Sequence, residues 1–186
     1  MRIFAAIRPP ESIVDHLELS VTNLRLGVGA TLRWVPSEQR HITLAFHGEV
    51  PDGAVPEIAE SLTEVAARHE PLELRLHGAG TFSSRTLWIG VAGDVAPLAR
   101  LMADCAPAGE VDAGPHGGRR AHLTVARGSN RSRGVADLDG MARALAIYDG
   151  PTWTAGEVEL FSSRLGEGRG GGPLHEVLAT APLGVR

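Results

Sequence analysis

The pentapeptide His41-Ile42-Thr43-Leu44-Ala45 recurs later in the chain as His122-Leu123-Thr124-Val125-Ala126. Both copies read His-apolar-Thr-apolar-Ala. Side chains alternate faces along a strand, so His and Thr at i and i+2 point the same way, and the apolar residues between them point toward a core. An imidazole changes charge near neutral pH, so one histidine can take a proton while a second gives one. The adjacent threonine hydroxyls can donate hydrogen bonds to phosphoryl oxygens as negative charge builds there. Two such stripes facing one cleft would suit acid–base chemistry on a phosphate, and that chemistry needs no metal.

A metal site is the competing use of histidine. The chain has 8 His, but no His-x-His or His-Glu-x-x-His spacing, and no acid beside either motif in the register a zinc ligand needs. Neither a metal nor another cofactor is therefore expected. Gly166–Gly172 lacks the Lys-Ser/Thr ending and the strand-to-helix setting of a phosphate-binding loop, and reads as a flexible loop. Arg119, Arg120, Arg127, Arg131 and Arg133 form an acid-free run around the second motif. Arg127 is the best phosphate-binding candidate among them, because it ends the motif strand and a guanidinium binds phosphate in a bidentate fork. In a regular strand, however, Arg127 has the wrong parity to share a face with His122, and Phe46 has the same problem relative to His41. Each reaches the cleft only if its strand twists or bulges. Trp34 is read as core in preference to a base-stacking wall. His16, His69, His77, His116 and His175 are read as exposed or structurally satisfied.

These residues need elements to position them. The 186-residue length suits one domain made of two similar lobes, and 43% hydrophobic residues suffice for a core. The net charge of −4 does not advertise nucleic-acid binding through bulk electrostatics. All 18 basic residues are Arg. The lone Cys105 allows no internal disulfide and falls on an apolar helix face, as an inert thiol. No stretch reaches membrane-spanning length and no signal peptide is evident, so a cytoplasmic, soluble monomer is expected.

Hydrophobic periodicity predicts strands over residues 2–7, 32–35, 41–47, 72–76, 86–91, 122–127, 157–164 and 174–180. It predicts helices opening at Pro9-Pro10-Glu11, from about Pro56 to Arg68, after a capping Asp94, and over about Val135–Tyr148. Gly78, Gly80 and two Ser are read as a loop after Leu76. The motif strands follow turns instead of crossover helices, which predicts antiparallel pairing. The fold class is α+β: bilobal, with two pseudo-symmetric sheets flanking a central cleft and helices outside.

The segment Arg33-Trp34-Val35-Pro36-Ser37-Glu38, followed by His41-Ile42-Thr43-Leu44-Ala45-Phe46 and Gly48-Glu49-Val50, resembles the first motif region of the RNA 2′,3′-cyclic phosphodiesterases. These belong to the 2H phosphoesterase superfamily, also called 2′-5′ RNA ligase-like proteins. His122-Leu123-Thr124-Val125-Ala126-Arg127 is similar to its second motif, and weaker likeness extends over nearly the whole chain. Ala121 departs from the family's usual Pro before the second histidine. The resemblance implies hydrolysis of RNA or nucleoside 2′,3′-cyclic phosphate to the 2′-phosphomonoester. It implies His41 as acid to O3′ and His122 as base for water, although the residues themselves leave that order open. It implies Thr43, Thr124 and Arg127 on phosphate and Phe46 on the nucleotide side. The expected partners are RNA ends or nucleotides bearing that cyclic phosphate, with no membrane. Joining such an end to a 5′-hydroxyl, or binding RNA ends without catalysis, are the alternatives.

Overall fold

A computed structural model describes residues 1–28, 32–107, 120–128, 137–168 and 171–184. Arg119, Arg131, Arg133, His116 and the expected Gly-rich loop from Ala113 lie outside the described residues, as does the beginning of the helix expected from Val135. The strands are β1 (Arg2–Ile7), β2 (Leu32–Trp34), β3 (Ile42–Glu49), β4 (Leu72–Phe82), β5 (Thr86–Gly93), β6 (His122–Gly128), β7 (Asp149–Ala155), β8 (Glu157–Arg164) and β9 (Leu174–Pro182). The helices are α1 (Glu11–Val28), α2 (Val55–Ala67), α3 (Val95–Asp104) and α4 (Leu138–Ala144). Among the described residues no helix is long and apolar enough to cross a membrane.

The strands join in one sheet of order β7-β4-β5-β6-β3-β1-β8-β9, and every ladder is antiparallel. The two sheets expected from the sequence correspond to two halves of this one sheet, β7-β4-β5-β6 and β3-β1-β8-β9, each with its motif strand innermost. They are joined by a single register pair, Ile42↔Leu123. Both strands begin at that pair and run on from it in opposite directions. The freed edge of β6 pairs with β2 instead, through Leu32↔Gly128, Arg33↔Arg127 and Trp34↔Ala126.

The helices have the apolar faces read from the sequence. Ile13, Leu17 and Val21 of α1, Leu62 and Val65 of α2, Leu98 and Leu101 of α3, and Leu138 and Met141 of α4 are buried in one cluster with Ile42, Leu44, Leu123 and Val125. Cys105 is buried, and burial pushes its thiol up to about 12, which makes it a poor nucleophile.

Three local features differ from the sequence reading. β4 continues through Gly78 and Gly80 to Phe82, where the composition suggests a loop. Gly78 takes a positive φ of 63° at a bulge, so the strand bends without ending. Periodicity does not reveal β7, whose Pro151 argues against a strand; β7 is the sheet edge, pairing only with β4, where a missing N–H is tolerated. Asp94 does not cap α3 with its side chain. Its Oδ2 instead accepts from the Glu73 backbone N–H at 2.9 Å, tying the helix start to β4.

Candidate active site

The Ile42↔Leu123 pair determines what the motifs can do. Both residues are fully buried, so the flanking His and Thr side chains emerge on the opposite face. Antiparallel register sets His41 across from Thr124 and Thr43 across from His122. All four line one cleft of ≈ 430 Å³.

Each imidazole is oriented in the same way. His41 Nδ1 lies 2.8 Å from the Gln39 carbonyl, and His122 Nδ1 lies 2.8 Å from the Arg120 carbonyl. A carbonyl has no proton to give, so in both rings Nδ1 carries the hydrogen. In the neutral ring Nε2 is then left as the free base. The same two-residue offset at both motifs is the local counterpart of the sequence repeat.

The parity problem is solved by paired bulges. In β3, Leu44 and Ala45 are both buried, and the β1 ladder skips a residue between Ala45 and Thr43. In β6, Val125 and Ala126 are both buried, and the β5 ladder skips a residue between Ala126 and Thr124. Two consecutive inward residues reverse the alternation, so the next side chains, Phe46 and Arg127, join the cleft. The repeat thus places an aromatic ring on one side and a cation at the equivalent position on the other. Phe46 is 59% exposed, with its ring 5.9 Å from Phe4, and is open to a ligand.

The histidines differ in their surroundings. His41 is walled by Phe4 at 4.8 Å and Phe161 at 5.9 Å, and stands edge-on to His175 at 5.3 Å. Burial pushes its pKa down to about 4, with His175, Arg127 and Arg8 adding to the shift. His122 stands against Phe82 at 4.9 Å and Trp88 at 6.3 Å, with Arg120 over the Trp88 ring. Its pKa is also lowered, first by burial.

Several contributors escape sequence reasoning. His175, structural on that reading, lines the cleft beside His41, brought there by β9 from the far end of the chain. Trp34, expected in the core, packs against it but also lines the cleft, with the Arg25 guanidinium 5.0 Å from its ring. Arg40, which immediately precedes His41, is only 1% exposed; it donates to Glu18 of α1 at 2.7 Å. That ion pair anchors the turn whose Gln39 carbonyl orients His41. An Arg beside a motif histidine is visible in the sequence, but its carboxylate partner, on another element, is not. Among the described residues no group of three His, Cys, Asp or Glu converges as a metal site.

A curled antiparallel sheet of nine strands with four helices matches the 2H phosphoesterase fold. The chain belongs to the 2′-5′ RNA ligase superfamily, whose family model matches residues 9–167. It is 32% identical to an RNA 2′,3′-cyclic phosphodiesterase of Geobacillus stearothermophilus over 81% of this chain and 47% of that protein. It is 33% identical to the corresponding protein of Archaeoglobus fulgidus over 74% of this chain and 78% of that one. It also matches a Methanothermobacter thermautotrophicus relative of the same name over 51% of its length, so the match spans about half of two of these relatives. In fold it is similar to TT0787 of Thermus thermophilus, with TM-score 0.74, 23% identity and complete coverage of both chains. It is likewise similar to Escherichia coli LigT complexed with 3′-AMP, with TM-score 0.66, 22% identity, and coverage of 98% of this chain and 97% of that one.

Proposed function

We propose that this protein hydrolyses the 2′,3′-cyclic phosphate of RNA ends or nucleosides to the 2′-phosphomonoester without a metal ion. The observation that carries the reading is the register that sets His41 and Thr43 opposite Thr124 and His122 on one cleft wall. The names of the curated relatives support the substrate class.

In this mechanism the cyclic phosphate sits between the histidines. Thr43 and Thr124 donate to its non-bridging oxygens, and Arg127 adds a charge-assisted contact. His122, neutral and with Nε2 free, takes a proton from water as the water oxygen attacks phosphorus. The bond from phosphorus to O3′ breaks, and His41, protonated at Nε2, gives its proton to O3′. The product keeps phosphate on O2′. The substrate itself helps to charge the acid, because a negative phosphate nearby favours the imidazolium that His41 must be. Phe46 stacks on the nucleoside. The protein acts as a cytoplasmic monomer, with residues 1–186 forming one bilobal domain.

The test is a short RNA ending in a 2′,3′-cyclic phosphate, incubated with the protein in excess EDTA. A 2′-phosphate product supports the mechanism. A 3′-phosphate would reverse the side of protonation, and turnover only after adding divalent ions would overturn metal independence. Binding without turnover under either condition would leave an RNA-end binding module.

A further inference from the structure

Arg33 and Arg127 are direct register partners on the β2–β6 ladder, and both side chains line the cleft. Like charges directly opposite on neighbouring strands destabilise a sheet. Arg33 does lower the pKa of Arg127, after burial. Neither has a carboxylate partner among the described residues, and no described Asp or Glu lines the cleft. Six other arginines do have such partners: Arg8 with Glu159, Arg25 and Arg40 with Glu18, Arg75 with Asp149, Arg143 with Asp137, and Arg164 with Glu167 and Glu176. Among the described residues the Arg33–Arg127 juxtaposition has no such counter-charge, at a place where a bulge turns Arg127 toward the cleft.

The position suggests what neutralises it. A strand rises about 3.3 Å per residue, so Arg127 sits roughly 10 Å along β6 from Thr124, less the bulge. With the reach of two arginine side chains, that is the span of one nucleotide. Arg33 is also followed by Trp34, and Phe46 lies on the same cleft, so apolar surface for a base and cations for a phosphate occur together.

We propose that Arg33, beside Arg127, binds a second phosphate: the 5′-phosphate of the nucleotide whose 2′,3′-cyclic phosphate lies at the histidines. Arg33 is thereby a specificity-determining residue that favours the ends of RNA chains over free cyclic nucleosides. Arg127 stands between the two phosphates and contacts the scissile one. The inference rests on the hydrolase reading above and specifies its substrate.

The experiment compares kcat/KM for adenosine 2′,3′-cyclic phosphate with and without a 5′-phosphate, in EDTA, for the wild type, Arg33→Gln and Arg33→Lys. The wild type is expected to favour the 5′-phosphorylated substrate about tenfold or more, the range of a hydrogen bond to a charged group. That ratio should fall toward one in Arg33→Gln and recover in part in Arg33→Lys, which restores charge without the fork. A wild-type ratio near one, or an undiminished ratio in Arg33→Gln, overturns the proposal while leaving the hydrolase reading intact. If neither substrate is turned over, the hydrolase reading fails. The second phosphate site is then read directly by calorimetry with adenosine 3′,5′-bisphosphate against adenosine 3′-monophosphate, and equal affinities overturn it.

Discussion

His41 and His122 make the same hydrogen bond and have different environments, and both facts lead to measurements. In the proposed mechanism, replacing either with alanine removes one proton-transfer partner but leaves Thr43, Thr124 and Arg127 in place. His41→Ala and His122→Ala should each lower turnover about 10²-fold or more while circular dichroism stays native. Near-normal turnover in either variant would dispose of the two-histidine mechanism. The pH dependence follows from the burial of both rings. The proposed mechanism needs one histidine neutral and the other charged, so kcat/KM should trace a bell. With both free-enzyme pKa values below 6.5, the bell should be centred on the acid side of that value. The bound phosphate anion favours the imidazolium, so the kcat profile should lie at higher pH than that of kcat/KM. A kcat/KM optimum above pH 7 would contradict this assignment.

At the scale of elements, two small features hold the motif strands in place. Gly80 lies under the Trp88 ring: a Cβ there would fall 2.3 Å from a ring atom, too close for any side chain. Trp88 in turn stands against His122. Gly80→Ala should destabilise by about 1–3 kcal/mol through overpacking and should also reduce turnover by moving that ring. Gly156→Ala, with nothing within 4 Å of the added carbon, serves as the control. An equal Tm in the two variants would show that Trp88 yields freely. The second feature is the Glu18–Arg40 pair linking α1 to the turn before β3. Glu18→Ala strands a buried guanidinium, and breaking such a pair costs about 3–5 kcal/mol. Denaturant unfolding measures this; a loss under about 1 kcal/mol would mean that Arg40 finds water or another acceptor.

For the whole molecule, the buried neutral His41 links folding to pH. Its pKa is about 4 folded, against an ordinary 6.5 when unfolded. Below 6.5 the unfolded chain takes up a proton that the folded chain refuses. The stabilisation is therefore complete above pH 6.5 and lost as pH falls toward 4. The loss amounts to about 3 kcal/mol at roughly 1.36 kcal/mol per pKa unit. His41→Gln removes this contribution, so its stability should fall less than the wild type's between pH 7 and 4. Parallel curves would show that His41 takes up its proton as readily in the folded chain as in the unfolded one. At the same scale, two half-sheets meet at one register pair, and the His and Thr residues flanking that pair line the cleft.

Residue order alone was enough to specify the helical faces, most of the strands, the antiparallel α+β class and the His–Thr stripes. All of these are encoded in residue spacing within one element, and burial follows such spacing directly. It also carried the family, because the doubled motif is local. The remainder arose only on assembly. Whether Phe46 and Arg127 reach the cleft depended on bulges, which arise from mismatched ladders between strands distant in sequence. His175 entered the site from β9, and Arg40 found its carboxylate on α1, through pairings that no periodicity records. β7 exists because an edge tolerates Pro151, and a residue's place at an edge is a property of the assembled sheet. Spacing specifies what one element presents; the register between elements decides which of those side chains meet.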